Sequence, residues 1–105
     1  MKEYALVVTK DASDDLRRYL AHIRRVFKNP QAVRNVRNDF VKTAGSLCTL
    51  AETIQQPDNE AMRSKNLKRI NFQSHNYFLL FRINGDTVEV VQMFHFLEDY
   101  ENKLR

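Results

Sequence analysis

The chain has 105 residues, with 17 Lys and Arg against 13 Asp and Glu, a formal net charge of +4, one Cys and no Trp. A chain of this length buries roughly 60 to 65% of the surface that its unfolded form exposes, enough for one core drawn from residues 1–105 and too little to divide. An apolar fraction of 43% with so modest a net charge excludes intrinsic disorder. Cys48 alone cannot close an internal disulfide, and with His22, His75 and His95 scattered along the chain it offers no metal-ligand spacing. No metal or cofactor is therefore expected, and the setting expected is reducing and cytoplasmic.

Tyr4 to Thr9 (YALVVT) is a β-rich run bounded by charge and reads as a strand; its apolar part, Ala5 to Val8, is too short for a signal peptide or a membrane span. Asp11 and Ser13 are acceptable N-caps for a helix starting directly after this strand. Asp14 and Asp15 put negative charge in its first turn, and Leu16, Tyr19, Leu20, Ile23, Val26 and Phe27 recur at three- and four-residue spacing. The amphipathic helix this predicts stops at Lys28-Asn29-Pro30, where Asn29 can cap a second helix with Pro30 at its first position. That helix carries Val33, Phe40, Leu47 and Ile54 seven apart, with Val36, Ala44 and Ala51 between them. So short a connection folds the two helices back as an antiparallel hairpin. Gln55 to Ala61, with Pro57, Asp58 and Asn59, reads as a polar loop.

The last third changes period. Leu67 to Phe72 and Tyr77 to Ile83 read as strands, and Asn84-Gly85 predicts a type I′ hairpin into a further strand, Thr87 to Phe96. Leu97, Tyr100 and Leu104 then predict a short closing helix. The order strand, helix, helix, three strands, short helix implies an α+β architecture, with the helix hairpin packed on one face of a small, mostly antiparallel sheet.

The charge is unevenly placed. Residues 1–54 hold ten Lys and Arg and six Asp and Glu, whereas residues 55–105 hold seven of each. Between Ala61 and Gly85 lie five cations, Arg63, Lys65, Lys68, Arg69 and Arg82, and no acid. If Ile70, Leu79, Phe81 and Ile83 face the helices, strand alternation turns Arg69, Phe78, Leu80 and Arg82 the other way. Cations mixed with rings suit single-stranded nucleic acid, where cations hold phosphates and rings stack on bases. The alternative is a solvated basic face whose apolar members are covered by the terminal helix or a partner. Strict alternation also places His95 away from the helices, opposite Val88 and Val90, unless a bulge resets the register. His95 there is a candidate acid or base near neutral pH. His22 and His75 read as surface residues, and Cys48 as a packing residue. The sequence contains no Gly-rich phosphate loop and no serine elbow.

The segment YFLLFRINGDTVEVVQMFHFLEDYENKL, preceded by a basic strand and two amphipathic helices, resembles the RelE/ParE superfamily of bacterial toxins from toxin–antitoxin systems. The resemblance covers nearly the whole chain. It includes Asp15-Leu16, Asn29-Pro30-Gln31-Ala32, Phe81-Arg82-Ile83 and the element from His95 to Asp99-Tyr100. It implies a small cytoplasmic toxin neutralised by a cognate antitoxin, with no membrane role. One branch of the family cleaves mRNA on the ribosome, helping a ribose 2′-hydroxyl attack the adjacent phosphate; the other inhibits DNA gyrase. The nuclease branch carries an arginine in a Tyr-Arg-Leu-Val-Tyr-like run, and Phe78 stands at that place here. The expectation drawn from residues and resemblance together is metal-independent mRNA cleavage, with Arg69 and Arg82 stabilising phosphate charge and His95 as acid or base. Arg63, Lys65 and Lys68 join Arg69 and Arg82 in binding nucleic acid. The alternatives are gyrase inhibition, and a relic that binds antitoxin without toxicity.

Overall fold

A computed structural model describes residues 2–104. The elements are β1 (Ala5–Val8), α1 (Lys10–Phe27), α2 (Pro30–Leu50), α3 (Glu60–Ser64), β2 (Lys68–Asn71), β3 (Tyr77–Asn84) and β4 (Thr87–His95), with 3-10 turns at Ala51–Thr53 and Tyr100–Lys103. The fold is α+β. Four strands in the order β1-β4-β3-β2 form one sheet, antiparallel except where β1 runs parallel to β4, and α1 and α2 pack on one of its faces. No helix among the described residues is long and apolar enough to cross a membrane.

Local chemistry sets the boundaries, in places differently from the sequence expectation. Thr9, rather than Asp11 or Ser13, caps α1: its backbone is extended and its Oγ1 accepts the Ala12 N–H at 3.2 Å. The strand runs straight into the cap, so Asp11 falls inside the first turn, where its charge opposes the helix dipole's positive end. Asn29 caps α2 as expected, accepting the Gln31 N–H at 2.9 Å, with Pro30 at the first position. The second helix ends at Leu50 and tightens into a 3-10 turn instead of continuing to Ile54. The polar loop after it leads, at Glu60, into α3, capped by Asn59, whose five residues are too few to display a period. The closing helix is reduced to the 3-10 turn at Tyr100–Lys103. The β3–β4 turn is displaced by one residue. Asn84 pairs with Thr87, which makes Gly85 and Asp86 the central residues. Of these only Gly85 has positive φ, 62°, the glycine-first pattern of a type II′ turn and not of type I′.

Alternation along β2 and β3 divides the apolar residues between two cores. Phe72, Tyr77, Leu79, Phe81, Val88, Val90 and Met93 pack under α1 and α2 with Leu20, Ile23, Val36, Phe40 and Leu47. On the other face Phe78, Leu80 and Phe94 are covered by Met62 and Leu67 from α3 and its exit, with Tyr100 and Leu104 packed alongside. The sheet is therefore buried on both sides along β3.

A β-bulge at Val91 interrupts β4, since Leu80 pairs with Gln92 but Phe81 pairs with Val90. Beyond it β1 has ended, and side chains of α1 take over the free edge of β4. The Met93 N–H donates to Asp15 Oδ2 at 3.0 Å, and the His95 N–H donates to the Tyr19 hydroxyl at 3.2 Å and to Glu98 Oε1 at 3.3 Å. Without these acceptors the β4 donors would be buried unpaired. Replacement Asp15→Ala is expected to cost about 1–3 kcal/mol in urea denaturation, because a buried donor loses its partner. Tyr19→Phe leaves Glu98 as acceptor for His95 and is expected to cost less; equal losses would refute this account of the edge.

Candidate functional site

The structure does not bring Arg69, Arg82 and His95 to one centre. Arg69 pairs across to Leu80, and both Arg69 and Arg82 lie on the face turned away from α1 and α2. The bulge gives β4 one extra residue, so His95 returns to the helix side with Val88, Val90 and Met93. The outward face is also not an open stacking surface, since Phe78 and Leu80 are fully buried. Arg69 is turned inward on this face: its guanidinium lies 3.7 Å from the centroid of the Phe78 ring, near Phe96 and Tyr100, and its Nε donates to Asn71. Arg82 is half-buried with an unpartnered Nε. Lys68 faces the other way and donates to the Ala51 carbonyl at 3.3 Å, capping the end of the second helix. Arg63 holds the Pro57 carbonyl, and Lys65 is exposed just after α3. The five cations thus divide between the two faces of the sheet and the end of α3.

The structure instead assembles a groove around His95, between α1 and the ends of β3 and β4. Two adjoining clefts of about 550 and 350 Å³ share Ile23, Phe27, Tyr77 and His95. Arg18, His22 and Arg25 line the larger cleft, with Tyr19 and Glu98. Their spacing of four and three residues along α1 puts the three cationic or titratable side chains on one helix face. That spacing is present in the sequence, but there it is indistinguishable from an ordinary solvated surface. His95 stands edge-on to Tyr77, centroids 5.0 Å apart, and Tyr77 packs edge-on against Tyr19 at 5.1 Å. Burial pushes the Tyr77 phenol above its ordinary 10.0, so it is a donor and not a base at neutral pH. Phe27 is 65% exposed at the groove's rim.

His75, expected at the surface, stays partly exposed but also lines the smaller cleft. It stands in the turn between β2 and β3, which Asp39 of α2 organises. The buried Asp39 carboxylate accepts the Gln73 and Ser74 N–H groups at 3.1 and 2.9 Å and lies 2.7 Å from His75 Nδ1. Burial alone would raise the Asp39 pKa, but the hydrogen bonds from His75, Ser74 and Gln73 outweigh it and hold the carboxyl below its ordinary 3.8. A carboxylate with a depressed folded-state pKa stabilises the fold at pH above the ordinary value and loses that contribution as pH falls through the folded value. The stability difference between wild type and Asp39→Asn is therefore expected to be fully present at pH values above the ordinary carboxylate range and to shrink as pH falls below 3.8 through the lowered folded-state value. A pH-independent difference in urea midpoints would contradict the assignment.

Among the described residues no group of three or more His, Cys, Asp or Glu is placed to hold a metal ion. What the groove offers is three histidines, two tyrosines and two arginines, with the Glu98 carboxylate, around an apolar floor, a set suited to holding an anion and moving protons.

No protein-family model and no curated protein matches the chain. Among solved structures, a chain from "Chromosomal ParDE TA system from P. aeruginosa" aligns with a TM-score of 0.75 at 16% identity, over 89% of this chain and 96% of that one. The likeness is one of fold, and the shared fold is the α+β arrangement that the RelE/ParE resemblance implies.

Proposed function

We propose that the chain is the toxin of a toxin–antitoxin pair and that it blocks translation by cleaving mRNA on the ribosome, in the groove around His95. The observation that carries this reading is the convergence of His95 and Tyr77 with Arg18 and Arg25 at one open groove. Guanidinium groups hold a phosphate and offset the charge that develops on it, and imidazole moves protons near neutral pH without a metal. Arg82, half-exposed, and the exposed Arg63 and Lys65 add further cations outside the groove that help to keep a longer RNA close.

The cognate antitoxin is the proposed protein partner. A separate cleft of about 420 Å³ at the tip of the helix hairpin supports an acidic one: Arg24, Lys28, Arg34 and Arg37 surround Pro30 and Val33, and no carboxylate lines it.

Gyrase inhibition is the second reading. Phe78, buried where the nuclease branch carries an arginine, favours it, as does the fold shared with a chain from a ParDE system.

Induced expression with parallel readouts separates these. RNA cleavage is expected to give new mRNA ends and arrested translation with unchanged plasmid supercoiling, and Arg18→Ala with Arg25→Ala should reduce cleavage by at least about 10²-fold. Intact mRNA with altered supercoiling would replace this reading by the gyrase one. Unimpaired growth would point to a relic.

A further inference from the structure

His75 and His95 line the same cleft, and their hydrogen bonds fix opposite arrangements of protons. The Asp39 carboxylate can only accept, so His75 Nδ1, 2.7 Å away, must carry a hydrogen. Neutral His75 therefore has its lone pair on Nε2. At His95 the order is reversed. The Leu97 backbone N–H donates to His95 Nδ1 at 3.1 Å, so that nitrogen bears the lone pair and Nε2 carries the hydrogen. Of the two imidazoles lining the cleft, one is left with a lone pair on Nε2 and the other with a hydrogen there.

We propose that His75, oriented by Asp39, is the general base of this site, and that His95 donates a hydrogen bond from Nε2 to the reacting phosphate of an RNA strand. The inference rests on the RNA-cleavage reading and names its missing base. In the step, His75 Nε2 takes the proton of a ribose 2′-hydroxyl, and the freed oxygen attacks the adjacent phosphorus. The bond from phosphorus to the 5′-oxygen breaks with its electron pair on oxygen. That oxygen takes a proton from water, and the proton on His75 returns to solvent. The products are a 2′,3′-cyclic phosphate and a 5′-hydroxyl. Asp39 is a positioning residue here: it fixes the tautomer and stabilises the imidazolium formed. Arg18 and Arg25, along the same groove, offset the phosphate charge. A histidine needed only to pin the turn would not require an accessible second nitrogen, since the Gln73 and Ser74 N–H groups already tie the turn to Asp39. The His75 side chain nonetheless stays 31% exposed.

The test uses the purified full chain with ribosome-bound mRNA and with the free transcript. Wild type is expected to leave 2′,3′-cyclic phosphate ends, to fail at a nucleotide lacking the 2′-hydroxyl, and to speed up as pH rises, as a base that acts only when deprotonated requires. His75→Gln, checked for unchanged melting temperature, should cleave about 10²- to 10⁴-fold more slowly and lose that pH dependence, and free imidazole should restore part of the rate to His75→Ala. Cleavage by wild type with an unaltered rate and pH profile in His75→Gln overturns the base assignment and leaves the cleavage reading standing. A wild-type rate independent of pH overturns the assignment even if His75→Gln does not fold. Cleavage of neither RNA by the wild type overturns both.

Discussion

The hydrogen bonds from the β4 backbone to Asp15 and Tyr19 of α1 are the contact on which the rest of this molecule depends. Strand β1 covers only the first half of β4, through Val90. The second half would expose buried donors if a helix did not present acceptors at the right height. Asp15 and Tyr19, four residues apart and on one face of α1, reach alternate residues, Met93 and His95, past the bulge. This fixes the helix against the sheet and sets the width of the groove at whose floor Tyr77 and His95 meet. The site and the edge repair are made by the same helix.

The fold was largely legible because its signals are periodic or steric. Asn29-Pro30 marks the hairpin connection, and the two-residue period of β3 assigns Phe78 and Leu80 to one face and Leu79 and Phe81 to the other. What was not legible had no period to show. The five-residue α3 starts at the very end of a segment whose Pro57, Asp58 and Asn59 argue for a loop. The turn at Gly85-Asp86 and the pair Asn84-Gly85 compete for the same glycine, and the choice is made by the register of β4 against β3, a non-local fact.

The site was less legible than the fold, and a single extra residue explains most of the difference. With Val91 counted in strict alternation, His95 joins Arg69 and Arg82; with Val91 bulged, it joins Arg18, His22 and Arg25 on α1. His75 was hidden for another reason. Its partner Asp39 lies 36 positions away on α2, and no local pattern connects a turn residue to a helical aspartate. The charge count along the chain located a real concentration of cations. It could not say that Phe78 and Phe94 would already have α3 and the C-terminal turn as neighbours, or that Arg69 would close over Phe78.

The pairing of β1 with β4 has a consequence for the order in which the protein becomes competent. Among the described residues the first strand pairs with the last one alone, and the groove draws residues from both Arg18 and Glu98. During synthesis α1 and α2 can form their hairpin early, but the hydrogen bonds of Asp15 and Tyr19 to β4 and the pairing of β1 with β4 wait until residues 87–95 have been made. An incomplete nascent chain therefore holds a helix hairpin without a site. Competence arrives late and at once, so a chain cut short on a stalled ribosome is an unfinished core rather than a weakened version of the complete protein.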